Sequence, residues 1–203
     1  MAEKELSMNL DKFKKVKGIK DLEQYDLPTP QTAFIFDFDK QEKEVDTFIK
    51  NRSYLMIRSD KENELDFCPH NLICPRTEAK DFVKKLTSKK FVVILQECIS
   101  WKEDKLSGNV LTLKNNVMIE LMKGGPLIFL NRDGQVDEYL KVNKKGSVLE
   151  YSGKKIIDKT DLDKILKMIK KLPPYKIVEF SIGPDWLYFW QIRDDKTAKG
   201  LES

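Results

Sequence analysis

The end of the chain constrains the fold most strongly, because it has the pattern of a β-hairpin. Residues 175–182 and 186–193 are two runs rich in aromatic and β-branched side chains, and a Gly-Pro-Asp turn separates them. Glycine and proline between two such runs reverse the direction of the chain. We therefore predict two antiparallel strands at this end.

Three polar residues interrupt these apolar strands: Glu179 in the first, and Gln191 and Arg193 in the second. Burying a charge is costly unless it is paired or binds an ion. Gln191 and Arg193 share one face of their strand, because side chains alternate with a period of two. Carboxylate and amide oxygens suit Mg²⁺, and a guanidinium suits phosphate. The alternative interpretation is an ordinary hairpin whose polar residues satisfy each other at a sheet edge.

Composition restricts the class of protein. The 203 residues suffice for one domain or two small lobes, and 34% charged with 40% hydrophobic residues is typical of a soluble globular chain. The first residues carry charges and lack an apolar segment, so we expect a cytoplasmic protein whose three cysteines are reduced. No apolar run is long enough to span a membrane. Because 33 acidic residues offset 37 basic ones without a basic stripe, we do not expect a nucleic-acid partner.

The hydrophobic pattern predicts an α+β fold with two lobes and a cleft between them. We expect a mobile tail over residues 1–10, a small α/β lobe over 11–90, and a β-rich lobe with a mixed or antiparallel sheet over 91–203. The predicted helices cover residues 10–25, 42–50 and 161–171, with another that begins at an N-cap on Thr77. The predicted strands cover residues 33–38, 53–58 and 91–99, then four or five more from about residue 107 before the final hairpin. Residues 59–76 are predicted to form a loop.

Four further motifs precede the hairpin in a fixed order. They are Leu-Pro-Thr-Pro-Gln-Thr-Ala-Phe-Ile at 27–35, Tyr-Leu-Met-Ile-Arg-Ser-Asp at 54–60, Val-Ile-Leu-Gln-Glu-Cys-Ile at 93–99 and Ser-Gly-Asn-Val-Leu-Thr at 107–112. With the hairpin, they resemble segments of the nucleotide-binding domain of the pyruvate phosphate dikinase and phosphoenolpyruvate synthase family. Five motifs in the family's order are a stronger indication than any one of them. The resemblance implies a divergent, stand-alone ATP-grasp domain that binds ATP and Mg²⁺.

The resemblance also implies a role for particular residues. Glu179 and Gln191 correspond to the family's metal ligands. Arg58 and Arg193 correspond to the arginines that neutralise phosphate charge. The remaining implied nucleotide-binding residues are Gln96, Glu97 and Cys98 beside the adenine, and Lys17 and Lys123 at the phosphates. Each of three of these residues also has an interpretation without nucleotide. Arg58 would be a surface residue after a core strand, and Gln96 would be an amide at a sheet edge that bonds its neighbour's backbone. Lys17 would belong to a solvated helix face.

The chain also departs from the family's pattern. Residues 66–75 occupy the place of a Gly-rich segment that covers the phosphates, and they contain no glycine. Glycine permits a close approach of the backbone to phosphate, which proline does not. We therefore expect an altered or lost phosphate lid. Lys17-Gly18 is the nearest remnant of the family's Gly-Gly-Lys-Gly signature, and residues 121–125 replace its Gly-Leu-Gly-Glu segment.

Two functions from different classes fit these motifs. One is an ATP-dependent phosphotransferase of dikinase type, which passes a phosphoryl group to an acceptor such as a histidine on a separate protein. The other is a catalytically decayed regulatory or scaffold subunit with the same fold. Cys68, His70 and Cys74, with Cys98, have the ligand types of a zinc site but not the spacing of a known one. Buried thiols are the preferred interpretation of these cysteines.

Overall fold

The computed structural model describes residues 12–62, 68–99, 103–124, 130, 134–195 and 197–202. The tail predicted over residues 1–10 lies outside the described residues. The chain divides into two compact units. The first runs to Lys20 and continues from Pro30 to Cys98, and the second contains Asp21–Thr29 and the chain from Ile99 onward. The boundary predicted after residue 90 therefore differs from the observed one.

The first unit contains a four-stranded antiparallel sheet in the order β1-β4-β2-β3. Its helices are α2 and α3, together with the first residues of α1. The strands are β1 (Thr32–Ile35), β2 (Tyr54–Asp60), β3 (Asn71–Pro75) and β4 (Val92–Glu97), and the helices are α1 (Lys14–Gln24), α2 (Phe38–Ile49) and α3 (Arg76–Ser88).

Strand β4 is buried on both faces, which explains its nearly continuous apolar sequence. Val93 and Leu95 pack in a cluster with residues of α2 and α3, including Val45 and Val83. On the other face, Ile94 packs with the residues of α1 that belong to this unit. Because β4 pairs with both β1 and β2, it belongs to the first unit, and this pairing moves the boundary past residue 90.

The second unit contains a six-stranded antiparallel sheet in the order β10-β9-β5-β6-β7-β8. The strands are β5 (Leu106–Thr112), β6 (Asn116–Met122), β7 (Glu138–Asn143), β8 (Val148–Gly153), β9 (Lys176–Ile182) and β10 (Leu187–Asp194). Helix α4 (Lys159–Ile169) packs on one face, and a 3-10 helix (Ala198–Glu202) follows β10. The predicted closing hairpin is confirmed as β9 and β10.

Two sequence-based predictions in the first unit are wrong. The stretch 59–76 is not one loop, because it contains β3, which pairs antiparallel with β2. Thr77 is not an N-cap, because α3 begins at Arg76 and follows β3 directly, with Pro75 in the cap position. The backbone N–H of Arg76 donates to the carbonyl of Ser53, 2.9 Å away, and this bond fixes the start of the helix.

Helix α2 begins earlier than the pattern indicated, and β1 ends earlier. The carboxylate of Asp37 accepts hydrogen bonds from the backbone N–H groups of Asp39 and Lys40, so Asp37 is the N-cap. Phe38 therefore belongs to the helix and not to the preceding strand. Within the described part of the chain, no helix combines the length and apolar character that crossing a bilayer requires.

Candidate functional site

The six-stranded sheet has one face in the hydrophobic core and one face that carries polar side chains. Val110, Val178 and Ile192 point into the core, which also contains Ile165 and Ile169 of α4. The neighbouring positions along β5, β9 and β10 point to the opposite side, because side chains alternate along a strand. We call this opposite side the polar face.

Four polar residues lie in one line across the polar face. Gln191 on β10 pairs with Glu179 on β9, Glu179 pairs with Asn109 on β5, and Asn109 pairs with Glu120 on β6. Residues directly opposite each other have Cβ atoms about 4.5–5.5 Å apart, so neighbouring side chains in this line can contact one another. We call Gln191, Glu179, Asn109 and Glu120 the polar row. Its first three members are half-buried and Glu120 is exposed.

A bulge in β10 brings Gln191 into this row. Phe189 pairs with Phe180, but the next pair is Gln191 with Glu179, so Trp190 is an extra residue in the ladder. If the pairing continued past Phe189 without a bulge, Gln191 would lie opposite Val178 and would point into the core. Bulges are common beside functional sites, where they redirect a side chain.

Arg193 lies two residues beyond Gln191 and is exposed on the same face. It pairs with Ile177 of β9, and both residues line a cavity of about 360 Å³ within the second unit. Asn109 and Glu120 of the polar row line this cavity too. The structure therefore brings Arg193 close to the polar row, as the alternation in the sequence predicted.

A buried polar network adjoins the polar row at the start of β5. The hydroxyls of Ser107 and Ser181 are 2.8 Å apart, and the indole N–H of Trp190 donates to Ser181 Oγ at 3.0 Å. Ser107 Oγ also donates to Oδ2 of Asp104 at 3.2 Å. Burial raises the pKa of Asp104 to about 6, and the hydrogen bonds from the serine hydroxyls partly oppose this shift. No pattern in the sequence predicted this network.

The predicted residues of the first unit lie on or beside its sheet. Arg58 on β2 and Gln96 on β4 point to the same face, because Arg58 pairs with Ile94, which is two residues from Gln96. Gln96 is fully buried, and its Nε2 donates to Thr32 Oγ1 at 3.1 Å. The amide of Gln96 thus bonds a side-chain hydroxyl, whereas the interpretation of Gln96 as an edge amide expected a backbone partner.

Glu97 ends β4, and its backbone N–H donates to the carbonyl of Gln31 at 2.9 Å. Cys98 follows it, with Sγ 3.7 Å from the carbonyl oxygen of Leu72. Lys17 is the fourth residue of α1. Another residue of this unit, Asp60, was missed by the sequence analysis: its carboxylate accepts hydrogen bonds from two backbone N–H groups at the start of α1.

The remaining predicted residues are Lys123 in the second unit, and Cys68 and Cys74 in the first. Lys123 follows β6 in the second unit, where its backbone N–H donates to Asp137 Oδ2 at 2.7 Å and its side chain is exposed. Cys68 and Cys74 are buried, and Cys74 lies in the core cluster of the first unit. Among the described residues, no three histidine, cysteine or acidic side chains are placed to bind one metal ion.

The first unit also has a cavity of about 450 Å³, between α2, α3 and β4. It is lined by aromatic residues, including Phe36 and Phe91, and by lysines such as Lys84. None of the nucleotide-binding residues that the motifs suggest lines this cavity. The polar face of the second unit is therefore the stronger candidate site.

Comparisons with known proteins identify the fold. No family model matches the sequence, and no curated protein matches it. Among solved structures, D-alanyl-alanine synthetase A from Vibrio cholerae O1 biovar eltor matches with a TM-score of 0.54 and 8% identity, over 91% of this chain and 55% of that one. The ADP complex of PurK, N5-carboxyaminoimidazole ribonucleotide synthetase, matches with a TM-score of 0.54 and 12% identity, over 93% of this chain and 47% of that one.

A third similar structure is a RiPP-associated ATP-grasp ligase from Chryseobacterium gregarium, in complex with ADP and with a leader and core peptide. It has a TM-score of 0.50 and 13% identity, over 86% of this chain and 49% of that one. The chain spans about half the length of these structures. At such low identity the likeness shows the fold alone. The chain therefore has a two-unit α+β fold of the ATP-grasp type.

Proposed function

We propose that the chain binds a magnesium complex of ATP, and that the polar row holds the metal ion. The observation that carries this proposal is the direct pairing of Glu179 with Gln191, which exists because of the bulge at Trp190. Mg²⁺ prefers hard oxygen ligands and is usually bound by one or two protein side chains together with phosphate oxygens. One carboxylate and one neighbouring amide are a donor set of this kind.

In this proposal Arg193 neutralises phosphate charge beside the metal. It lies on the same strand and face as Gln191, and its side chain is exposed at the cavity that Asn109 and Glu120 line. A guanidinium offers several N–H donors in a fork that matches phosphate oxygens. The magnesium ion would supply charge stabilisation, and the protein would supply position and orientation.

The residues of the first unit have a secondary place in the proposal. Arg58 would add positive charge for the phosphates, and Gln96, Glu97 and Cys98 would lie along the adenine. Because the side chain of Gln96 is fully buried, we assign the contact with the base to the backbone after β4. Lys17 and Lys123 are further candidates for phosphate contacts, on the strength of the sequence motifs.

The type of reaction is a narrower proposal. Transfer of a phosphoryl group to a separate protein, as in a dikinase, rests on the five sequence motifs. The names of the similar structures are those of ligases and synthetases, and one of them is in complex with a peptide. A ligase-type reaction is thus an equal alternative if the chain is an enzyme. Such a reaction requires an acceptor that binds beside the metal site.

One observation favours the second candidate, a decayed regulatory or scaffold subunit. Part of the segment that takes the place of the Gly-rich lid is β3, which pairs with β2. A strand with a proline at its end offers fewer backbone N–H groups to phosphate than a glycine loop. Preorganised donors of this kind usually contribute much of the rate. Binding without turnover is the behaviour expected of this candidate.

Equilibrium binding of ATP by calorimetry tests the proposal, with Mg²⁺ and with a chelator. We expect Mg²⁺-dependent binding by the wild type that weakens by about tenfold or more in Glu179→Gln, which keeps the shape and removes the charge. Glu150→Gln is the matched control, because Glu150 is an exposed residue of β8 in the same sheet and lies outside the polar row.

Equal affinities of the wild type and Glu179→Gln would refute the assignment of the metal site. An ATP hydrolysis and phosphotransfer assay on the same samples then separates the two candidates. Turnover that Glu179→Gln abolishes supports an enzyme. Binding without turnover, in the presence of peptide and protein acceptors, supports the decayed subunit.

A further inference from the structure

We propose that Asn109 is a third oxygen donor of the metal site, and that its lack of charge makes the site bind the metal with a nucleotide in preference to the free ion. This inference rests on the proposed function and adds a residue to it. The motif at 107–112 contains Asn109, but the family resemblance implies no role for it.

The sheet places Asn109 directly beside Glu179. Glu179 on β9 is flanked on one side by Gln191 and on the other side by Asn109, each directly opposite it in the ladder. The carboxylate thus lies between two amide side chains on one face. An amide oxygen beside a carboxylate can complete the hard oxygen set that Mg²⁺ prefers.

The strands on both sides of β5 approach it closely next to Asn109. A Cβ atom on Gly108 would lie 2.5 Å from the backbone oxygen of Glu120 and 2.9 Å from the ring of Phe180. Only glycine allows this spacing between β5, β6 and β9. The backbone next to Asn109 is therefore closely packed between its neighbours, and a side chain on a strand of the sheet positions a ligand atom better than one on a loop.

The low charge of the site favours a metal ion that arrives with phosphate. The polar row contains two carboxylates, Glu179 and Glu120, and two neutral amides. Glu120 is exposed and lies on the far side of Asn109 from Glu179. A site made of Glu179, Asn109 and Gln191 has a single negative charge. Because Mg²⁺ gives up its water reluctantly, such a site binds the free ion weakly and relies on phosphate oxygens for the remaining charge.

The other charged groups at the cavity do not change this balance. Arg193 and Asp195 both line it and carry opposite charges. The carboxylate of Asp195 accepts hydrogen bonds from the backbone N–H and the hydroxyl of Thr197, 2.8 and 2.6 Å away. These bonds lower the pKa of Asp195 and direct its oxygen toward the turn that follows β10.

Binding of Mn²⁺ as a substitute for Mg²⁺, measured by electron paramagnetic resonance with and without ATP, tests this inference. In Asn109→Asp we expect the affinity for Mn²⁺ alone to rise by about tenfold or more, because the charge of the site doubles. In Asn109→Val, which suits a β-strand, we expect the affinity for the Mn²⁺–ATP complex to fall by about tenfold. Circular dichroism and the unfolding temperature confirm that each variant is folded.

Asn116→Asp is the matched control for the added charge. Asn116 is on β6, four residues from Glu120 on the same face, which is about 13 Å along the strand. We expect this variant to bind Mn²⁺ as the wild type does. An equal gain in affinity in Asn116→Asp and Asn109→Asp would overturn the inference, because it would show a general effect of surface charge.

Failure of the inference and failure of the proposed function give different results. If the wild type binds Mn²⁺–ATP, Glu179→Gln does not, and both Asn109 variants match the wild type, the role of Asn109 is refuted and the proposed site remains. If the wild type and Glu179→Gln both fail to bind Mn²⁺–ATP, the proposed function is refuted, and the inference with it.

Discussion

Replacing Asp104 with asparagine tests whether the carboxyl group beside the polar row reduces stability at neutral pH. Burial raises the pKa of Asp104 from 3.8 to about 6. Its Oδ1 is buried and, among the described residues, has no hydrogen-bond partner. The folded state therefore binds the proton more tightly than the unfolded state does. The stabilisation that protonated Asp104 contributes is fully present below about pH 4 and is lost as the pH rises through about 6.

The size of the effect follows from the pKa shift. Each pKa unit corresponds to about 1.4 kcal/mol, so a shift of about two units corresponds to at most about 3 kcal/mol. Asp104 is partly accessible to solvent, which screens its charge and reduces the effect to about 1–2 kcal/mol. Asparagine has the same shape and does not titrate, so Asp104→Asn should remove this dependence on pH.

Urea unfolding of the wild type and Asp104→Asn between pH 4 and 7.5 measures the effect. The free energy of unfolding of the variant, relative to the wild type, should rise by about 1–2 kcal/mol over this range, mostly between pH 4 and 6. Asp185→Asn, in the exposed turn of the final hairpin, controls for the change in net charge and should stay within about 0.5 kcal/mol. A difference between wild type and Asp104→Asn that does not vary with pH would refute the reasoning.

Three further experiments have definite expected results. Gly108→Ala places a methyl group against backbone that cannot move away, so unfolding in urea should show a loss of about 2–3 kcal/mol, whereas Gly200→Ala meets no atom within 4 Å and should change stability little. Trp190→Phe removes the hydrogen bond to a buried serine hydroxyl and should cost about 1 kcal/mol in the same assay. Burial raises the pKa of the thiols of both Cys74 and Cys98, but Cys74 is fully buried and Cys98 is only partly buried, so a thiol reagent at pH 7.5 should label Cys98 before Cys74. Faster labelling of Cys74 would contradict its position in the core.

The sequence predicted those parts of the fold that local pattern determines. The closing hairpin follows from its turn and its two apolar runs, and the shared face of Gln191 and Arg193 follows from alternation, because both lie after the bulge. The helix predicted from residue 161 follows from its amphipathic spacing. In the structure it begins two residues earlier, after Asp158, whose side chain accepts the N–H of Asp161. These features depend on neighbours within a few residues, which a single sequence records.

The remaining features depend on contacts between distant segments. The pairing of Gln191 with Glu179 requires an extra residue in β10, and nothing local in the sequence marks Trp190 as that residue. Asn109 gains its place beside Glu179 only through the pairing of β5 with β9. Strand β3 was missed because it is short and ends in Pro75, and its pairing with β2 outweighs its weak local preference.

Thermal unfolding with ATP, in the presence and absence of Mg²⁺, is the most direct test of the claim that this ATP-grasp fold binds a magnesium nucleotide. At an ATP concentration of about 100 times the dissociation constant, binding stabilises the folded state by about 2.7 kcal/mol. For a chain of this length we expect the unfolding temperature to rise by about 5–10 °C, and only when Mg²⁺ is present. No rise at several millimolar ATP, or an equal rise without Mg²⁺, would contradict the account.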